Sequence, residues 1–135
     1  MMISTRGRYA LRLMIDIARQ GEAGALVTMR QAAEREDLSV KYLEQLGGAL
    51  VKAGVLKSVR GVSGGYLLAR PADQITAGDV LRATEAAARR CHASKTARRR
   101  VRAAISAWHQ FLAWARQAIE DYVDNVTLAD LVQMG

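Results

Sequence analysis

Cysteine and long apolar runs are the two features that this sequence most lacks. Its single cysteine, Cys91, excludes a framework of intrachain disulfides. No apolar run approaches the roughly 20 residues that a membrane-spanning helix needs. Thr5-Arg6-Gly7-Arg8 interrupts any apolar core of an N-terminal signal peptide. These absences predict a cytoplasmic protein.

The motifs of common enzyme sites are absent as well. The chain has no phosphate-binding loop, nucleophile elbow, zinc-binding pair of histidines or paired carboxylates in a glycine-rich setting. We therefore do not expect an enzyme. Repeats and low-complexity linkers are missing too, and 135 residues, half of them apolar, suit one domain or one small domain with a dimerisation element.

Positive charge, by contrast, is abundant. Lys and Arg number 20 against 13 Asp and Glu, which makes the formal net charge +7 and the pI about 10.2. This balance favours anionic partners, with nucleic acid as the first candidate and an anionic membrane surface as the second.

The N-terminal half has the pattern of a helix-turn-helix unit. A first helix is predicted over about residues 6–20, capped by Ser4 or Thr5. Thr28 to Gln31 then matches a capping box that opens a second helix. Ser39 caps a third helix over about residues 40–53. A short turn between two helices places the later one for the DNA major groove.

A β-hairpin is predicted directly after these helices. Its arms are the short apolar runs 55–59 and 66–69, and its tip combines Arg60 with three glycines that permit positive φ. A small cationic tip suits contact with the phosphate backbone or the minor groove. We therefore expect a mainly α winged helix-turn-helix with a small β-hairpin.

The candidate DNA contacts follow from this layout. Lys41, Glu44 and Gln45 should face outward, where glutamine can bond adenine, glutamate can accept from cytosine and lysine can meet guanine or phosphate. Arg6 and Arg8 near the first helix N-terminus suit a phosphate. The alternative is that all of these are ordinary solvated surface residues. The full predicted set is Thr5, Arg6, Arg8, Tyr9, Thr28, Ser39, Lys41, Tyr42, Glu44, Gln45, Lys57, Arg60, Gly61, Ser63, Gly64 and Gly65.

The C-terminal part is predicted to form a dimerisation helix. Thr76 caps a helix of about residues 77–87, and a longer helix should follow over about residues 95–125. The longer helix carries apolar residues in alternating steps of four and three, which is a heptad seam. The predicted homodimer contacts are Val101, Ile105, Trp108, Leu112, Ile119 and Tyr122.

Four segments of the chain carry a resemblance to a known family, namely residues 4–11, 41–46, 59–71 and 126–131. Together they resemble one bacterial family of winged-helix regulators, typified by the iron–sulfur regulator IscR, the nitric-oxide-sensing repressor NsrR and the cysteine-metabolism repressor CymR. The resemblance implies a homodimeric, sequence-specific transcriptional regulator acting as a repressor on a pseudo-palindromic operator. It also implies contacts to double-stranded DNA through the third helix and the wing.

The chain departs from that family at the cluster loop. Sensor members hold an iron–sulfur cluster through three cysteines, whereas only Cys91 is present here. At the family's usual spacing, Ala97 and Ala103 stand where the second and third cysteines would be. An alternative alignment puts Ser106 at the third position, and none of these residues replaces a thiolate. We therefore expect no metal ligand set and no cofactor. Either the cysteines are naturally absent or they were replaced.

The segment around Cys91 is strongly basic. Residues 86–119 contain no Asp or Glu, and we divide the chain into a DNA-binding domain (1–87), a basic loop (88–100) and a dimerisation helix with its cap (101–135). The loop is either a solvated segment or a site for phosphate or an anionic effector. Cys91 is either inert or a redox sensor, because neighbouring cations favour its thiolate. A protein-interaction module and a nonspecific architectural DNA binder remain the alternative functions.

Overall fold

The computed structural model describes residues 4–21, 25–92 and 107–135. Within these ranges no helix is long and apolar enough to cross a membrane. The elements in chain order are α1 (Thr5–Gly21), α2 (Met29–Glu36), α3 (Val40–Lys52), β1 (Leu56–Val59), β2 (Gly65–Leu68), a 3₁₀ turn (Ala72–Gln74), α4 (Ala77–His92), α5 (Ala107–Asn125) and α6 (Leu128–Met134).

The predicted caps produce the helix-turn-helix. The Gln31 backbone N–H donates to Thr28 Oγ1 at 3.2 Å, and the Thr28 N–H donates to Gln31 Oε1 at 3.0 Å. Asp37 ends α2 in the left-handed region with φ of 53°, which aspartate tolerates better than most residues. Ser39 Oγ then accepts the Tyr42 N–H at 3.2 Å and starts α3. These local bonds reverse the chain sharply between α2 and α3.

The main core lies between α1 and α3. Leu13, Met14 and Ile17 from α1 are buried, and so are Leu43, Leu46 and Leu50 from α3. Their spacing of three and four residues puts each set on one helix face. The same core is completed by residues from α2, the wing, the C-terminal helices and the segments next to them, namely Val27, Met29, Val55, Leu56, Ile75, Val80 and Leu128.

The wing forms as predicted and gains a third strand-like partner. β1 and β2 pair antiparallel, with Leu56 opposite Leu68 and Val59 opposite Gly65. Val27 bridges to Tyr66 on the outer side, because the Val27 N–H donates to Tyr66 O at 3.0 Å and the Tyr66 N–H donates to Val27 O at 2.8 Å. The segment before α2 therefore ties the hairpin to the helical core.

The helix after the wing is longer than predicted. α4 continues to His92 rather than ending near residue 87, so residues 88–92 are helical and not part of a loop. The physical reason is that Ala86, Ala87 and Ala88 are strong helix formers and no proline or glycine follows them before His92. The remainder of the predicted basic loop, and residues 95–106 of the predicted long helix, lie outside the described residues.

Candidate DNA-binding surface

One face of α3 is exposed along its length. Lys41, Glu44 and Gln45 are all exposed, which confirms their predicted outward orientation. Gly48 continues the same strip one turn later, since residues three and four apart share a helix face. The opposite face carries the buried leucines of the core. The strip therefore presents polar groups that no element of the described residues covers.

The two glycines in the middle of α3 have different surroundings. A Cβ at Gly47 would collide with Met29 Cε and lie 3.5 Å from Tyr66 Cε1. A Cβ at Gly48 would meet nothing within 4 Å. Gly47 thus lies where α2 and the wing pack closely against α3, whereas Gly48 has no packing reason within the described chain.

Two predicted contact residues already serve as helix caps. Thr28 Oγ1 accepts the Gln31 N–H, and Ser39 Oγ accepts the Tyr42 N–H. Their hydroxyl oxygens are therefore engaged in starting α2 and α3. Their contact with DNA stays a prediction, but their first role is to orient the two helices.

An aromatic pair joins the start of α1 to the start of α3. The Tyr9 and Tyr42 rings pack edge to face with centroids 6.0 Å apart. Two guanidinium groups lie near the Tyr9 ring, with Arg8 Cζ at 5.1 Å and Arg12 Cζ at 5.7 Å from its centroid. Cations in such positions are attracted to an aromatic ring. The cluster therefore places two cations of α1 beside the aromatic contact that joins α1 to the start of α3.

The predicted DNA-contact residues in the first turn of α1 differ in how exposed they are. Ser4 is the cap, because its Oγ accepts the Gly7 N–H at 3.1 Å, and Thr5 is the first helical residue. Thr5 and Arg8 are exposed. Arg6 is half-buried, and its Nε is buried with no hydrogen-bond partner in the described part of the chain. Arg8 is therefore the more accessible of the two predicted phosphate ligands.

The wing tip uses its glycines for two different reasons. All three glycines permit a positive φ, but of these only Gly61 adopts it, at 117°. The Gly64 N–H donates to Gly61 O at 3.0 Å, and a Cβ on Gly64 would collide with Val59 O. A Cβ on Gly65 would lie 2.9 Å from Val27 O. The second and third glycines are therefore required by close backbone packing.

Exposed side chains at the tip include one that sequence reasoning missed. Lys57, Arg60 and Ser63 are exposed as a DNA-contacting wing requires. Val62 is fully exposed as well, and a solvent-facing valine between Gly61 and Ser63 could have been found from the sequence. An apolar wing tip is compatible with contact to sugar carbons in a groove.

Contacts between α1 and α2 keep this surface in shape. Arg35 forms two hydrogen bonds to the buried Asp16 carboxylate, at 2.7 Å and 2.8 Å. The hydrogen bond to Asp16 raises the pKa of Arg35. Arg12 Nε also lies 2.6 Å from Glu36 Oε2. These pairs fix α2 against α1 and so hold the helix that precedes α3.

The predicted dimerisation helix exposes large apolar side chains. Trp114, Ile119 and Tyr122 are 75 %, 42 % and 70 % exposed. Val123 is buried instead, against Ala77 and Leu81 of α4. Val101 and Ile105 lie outside the described residues, as do the side chains of Trp108 and Leu112. The face used within the chain is therefore not the predicted heptad seam.

The described residues offer no metal centre. They contain no group of three or more His, Cys, Asp or Glu side chains that could hold an ion. Cys91 lies in the last turn of α4, but its side chain is outside the described part. Ala97, Ala103 and Ser106 are outside it altogether.

A helix-turn-helix followed by a hairpin packed on the same core defines a winged-helix protein. Comparison with known proteins identifies the group: residues 3–134 match the Rrf2 family, described as an iron-dependent transcriptional regulator, and the chain belongs to that family. Members are transcriptional regulators and not enzymes, so the expected class is confirmed.

Relatives of this chain include both IscR and CymR proteins. IscR of Erwinia tasmaniensis is 36% identical over 134 residues, covering 98% of this chain and 79% of that protein. The structure of CymR, the global cysteine regulator of B. subtilis, superposes with a TM-score of 0.78 at 34% identity, covering 100% of this chain and 98% of that one. T. potens IscR gives a TM-score of 0.77 at 34% identity, covering 98% and 87%.

Proposed function

We propose that this chain is a homodimeric transcriptional repressor that binds a pseudo-palindromic operator in the cytoplasm. The observation that carries the proposal is that α1, α3 and the wing lie next to one another. Tyr9 and Tyr42 join α1 to α3, and the Gly47–Tyr66 contact joins α3 to the wing. The exposed strip of α3 thus lies between two cationic segments, as groove reading between phosphate contacts requires.

The homodimer is supported by the apolar surface of α5. Ile119 and Tyr122 are exposed on a helix whose own chain covers it mainly at Val123. Large apolar side chains grouped on one helix are commonly interaction surfaces. A second copy of the helix offers the matching face, because a twofold interface pairs a patch with itself. The repressor assignment follows the resemblance to the NsrR and CymR regulators.

Base reading and phosphate contact can be separated by substitution. Gln45→Ala should relax preference at one base pair in each half-site, at a cost of roughly 1–3 kcal/mol. Arg60→Ala should weaken all sequences and reduce the salt dependence of binding. Gln74→Ala and Arg19→Ala remove matched exposed side chains away from α3 and the wing tip and should change neither.

Fluorescence anisotropy on duplexes selected from a random pool measures these effects at several salt concentrations. Salt-dependent binding without sequence preference would favour an architectural protein, and no binding at all would favour a protein-interaction module. Either result would contradict the proposed repressor.

The proposal includes no iron–sulfur cluster for this sequence. One cysteine per chain leaves too few soft thiolate ligands for a stable cluster. Regulation would then act through Cys91 oxidation, a small ligand or a partner protein. Anaerobic reconstitution followed by absorption spectroscopy and iron and sulfide analysis tests this, and stoichiometric iron and sulfide would overturn it.

A further inference from the structure

We propose that Arg82 and Asp124 are positioning residues that set the direction of the dimerisation helix, and thereby the distance between DNA half-sites that the dimer accepts. The inference builds on the proposed dimeric regulator. It concerns how the two winged-helix units are held relative to each other, which neither α3 nor the wing decides.

The N-terminus of α4 and the segment between α5 and α6 form a backbone joint. Thr76 and Thr127 make an antiparallel bridge. The Ala77 N–H donates to Val126 O at 2.8 Å, and the Leu128 N–H donates to Ile75 O at 2.9 Å. Both threonines also cap the helix that follows them. The C-terminal end of α5 is therefore anchored to the winged-helix unit.

That anchor by itself leaves the direction of α5 weakly defined. In residues 113–125, where the α5 side chains are described, Val123 alone is buried. It packs against Ala77 and Leu81. One buried side chain of α5 beside a two-bond joint resists separation, but it allows the helix to rock, because packing attraction has little directionality.

The ion pair beside Val123 supplies the missing direction. Arg82 Nη2 donates to Asp124 Oδ1 at 2.7 Å, and Nη1 donates to Oδ2 at 3.2 Å. The hydrogen bond to Asp124 raises the pKa of Arg82. Two parallel bonds between planar groups restrict rotation as well as distance. A Cβ on Gly78 would collide with Asp124 Oδ1, so the carboxylate also lies against the α4 backbone.

Two further ion pairs, both to Asp79, connect Arg82 to the base of the wing. Arg82 Nη2 lies 3.5 Å from Asp79 Oδ1, and Arg70 Nη2 lies 3.5 Å from Asp79 Oδ2. Arg70 follows the β2 strand by two residues. The chain of charges therefore links the wing base, α4 and α5, which are the elements whose relative orientation determines where each recognition surface lies in a dimer.

The preference of the dimer among half-site spacings distinguishes positioning from stabilisation. If the Arg82–Asp124 pair only stabilised the fold, removing it would leave that preference unchanged. Half-sites of helix-turn-helix dimers are about 34–36 Å apart per helical turn of 10–10.5 base pairs. Each added base pair therefore shifts one half-site by about 3.4 Å and rotates it by about 35°. A dimer whose two winged-helix units are held rigidly binds one spacing best, whereas a dimer whose units can rock accepts several spacings.

The test uses the full chain and operators selected from a random pool, with the centre lengthened or shortened by one and two base pairs. Asp124→Asn and Arg82→Gln each remove one partner, and the double variant removes both. The control is Asp73→Asn, which neutralises an exposed carboxylate in the 3₁₀ turn that is not a member of these ion pairs. Sedimentation confirms that each protein remains dimeric.

We expect the parent chain and Asp73→Asn to prefer one spacing sharply. Asp124→Asn and Arg82→Gln should reduce that preference by up to about fivefold per subunit, the most that an exposed pair contributes. The double variant should lose no more of its preference for one spacing than either single variant loses. An unchanged profile, or an equal loss at every spacing, would overturn the inference. A parent chain without specific binding at any spacing would instead contradict the proposed function itself.

Discussion

Replacing Gly48 with alanine should make the protein more stable and its proposed DNA contact weaker. Gly48 lies in the interior of α3, and a Cβ there meets nothing within 4 Å. Alanine is favoured over glycine inside a helix by about 1 kcal/mol. For a chain of this length such a gain raises the melting temperature by about 3–5 °C.

The neighbouring glycine provides the matched comparison. Gly47→Ala brings the same gain in helix propensity, but its Cβ would collide with the buried Met29 methyl group. Overpacking a core costs about 1–3 kcal/mol. We therefore expect Gly47→Ala to lie between neutral and about 2 kcal/mol destabilising, combining the packing cost with the helix gain. Gly48→Ala should thus raise stability, whereas Gly47→Ala should not.

Thermal and urea unfolding, followed by circular dichroism at one fixed protein concentration, measures both variants. The concentration must be equal because dimerisation contributes to apparent stability. DNA affinity of Gly48→Ala, measured in parallel, should fall, since the methyl group projects from the strip bearing Lys41, Glu44 and Gln45. A Gly48→Ala variant that is less stable than the parent, or equal shifts at both glycines, would refute the packing argument. Greater stability with unchanged affinity would place Gly48 outside the DNA contact.

Three further predictions follow from the ion pairs and from α5. Arg35→Ala should cost about 1–3 kcal/mol in urea unfolding, because it leaves the buried Asp16 carboxylate without its partner. Burial acts to raise the pKa of Asp79, but hydrogen bonds from Thr76 and the charge of Arg70 outweigh it and lower that pKa below its ordinary value. The stability that Asp79 contributes is therefore present above the ordinary carboxyl pKa and lost as the pH falls through the lower folded-state pKa. Asp79→Asn should accordingly flatten the acid limb of a profile of stability against pH. Ile119→Glu with Tyr122→Glu should yield monomers by sedimentation at micromolar concentration, and a variant pair that stays dimeric would exclude this face of α5.

Local chemistry was sufficient to predict the helix-turn-helix and the hairpin. The capping box at Thr28 and the Ser39 cap involve partners three residues away. Each helix start can therefore be recognised from a short window of sequence. The hairpin arms were likewise visible as two short apolar runs around a glycine-rich tip. Even the α4 end could have been placed better, because the alanine run up to residue 88 is a local helix signal.

Contacts between distant residues came only with the tertiary structure. Tyr9 and Tyr42 meet because α1 and α3 pack across a shared core, and Val27 pairs with Tyr66 because the chain before α2 returns to the wing. No short window predicts that Arg82 pairs with a carboxylate 42 residues later. Propensity and capping act over one helical turn, whereas these contacts depend on how finished elements pack together. That packing brings the three segments of the candidate DNA-binding surface side by side.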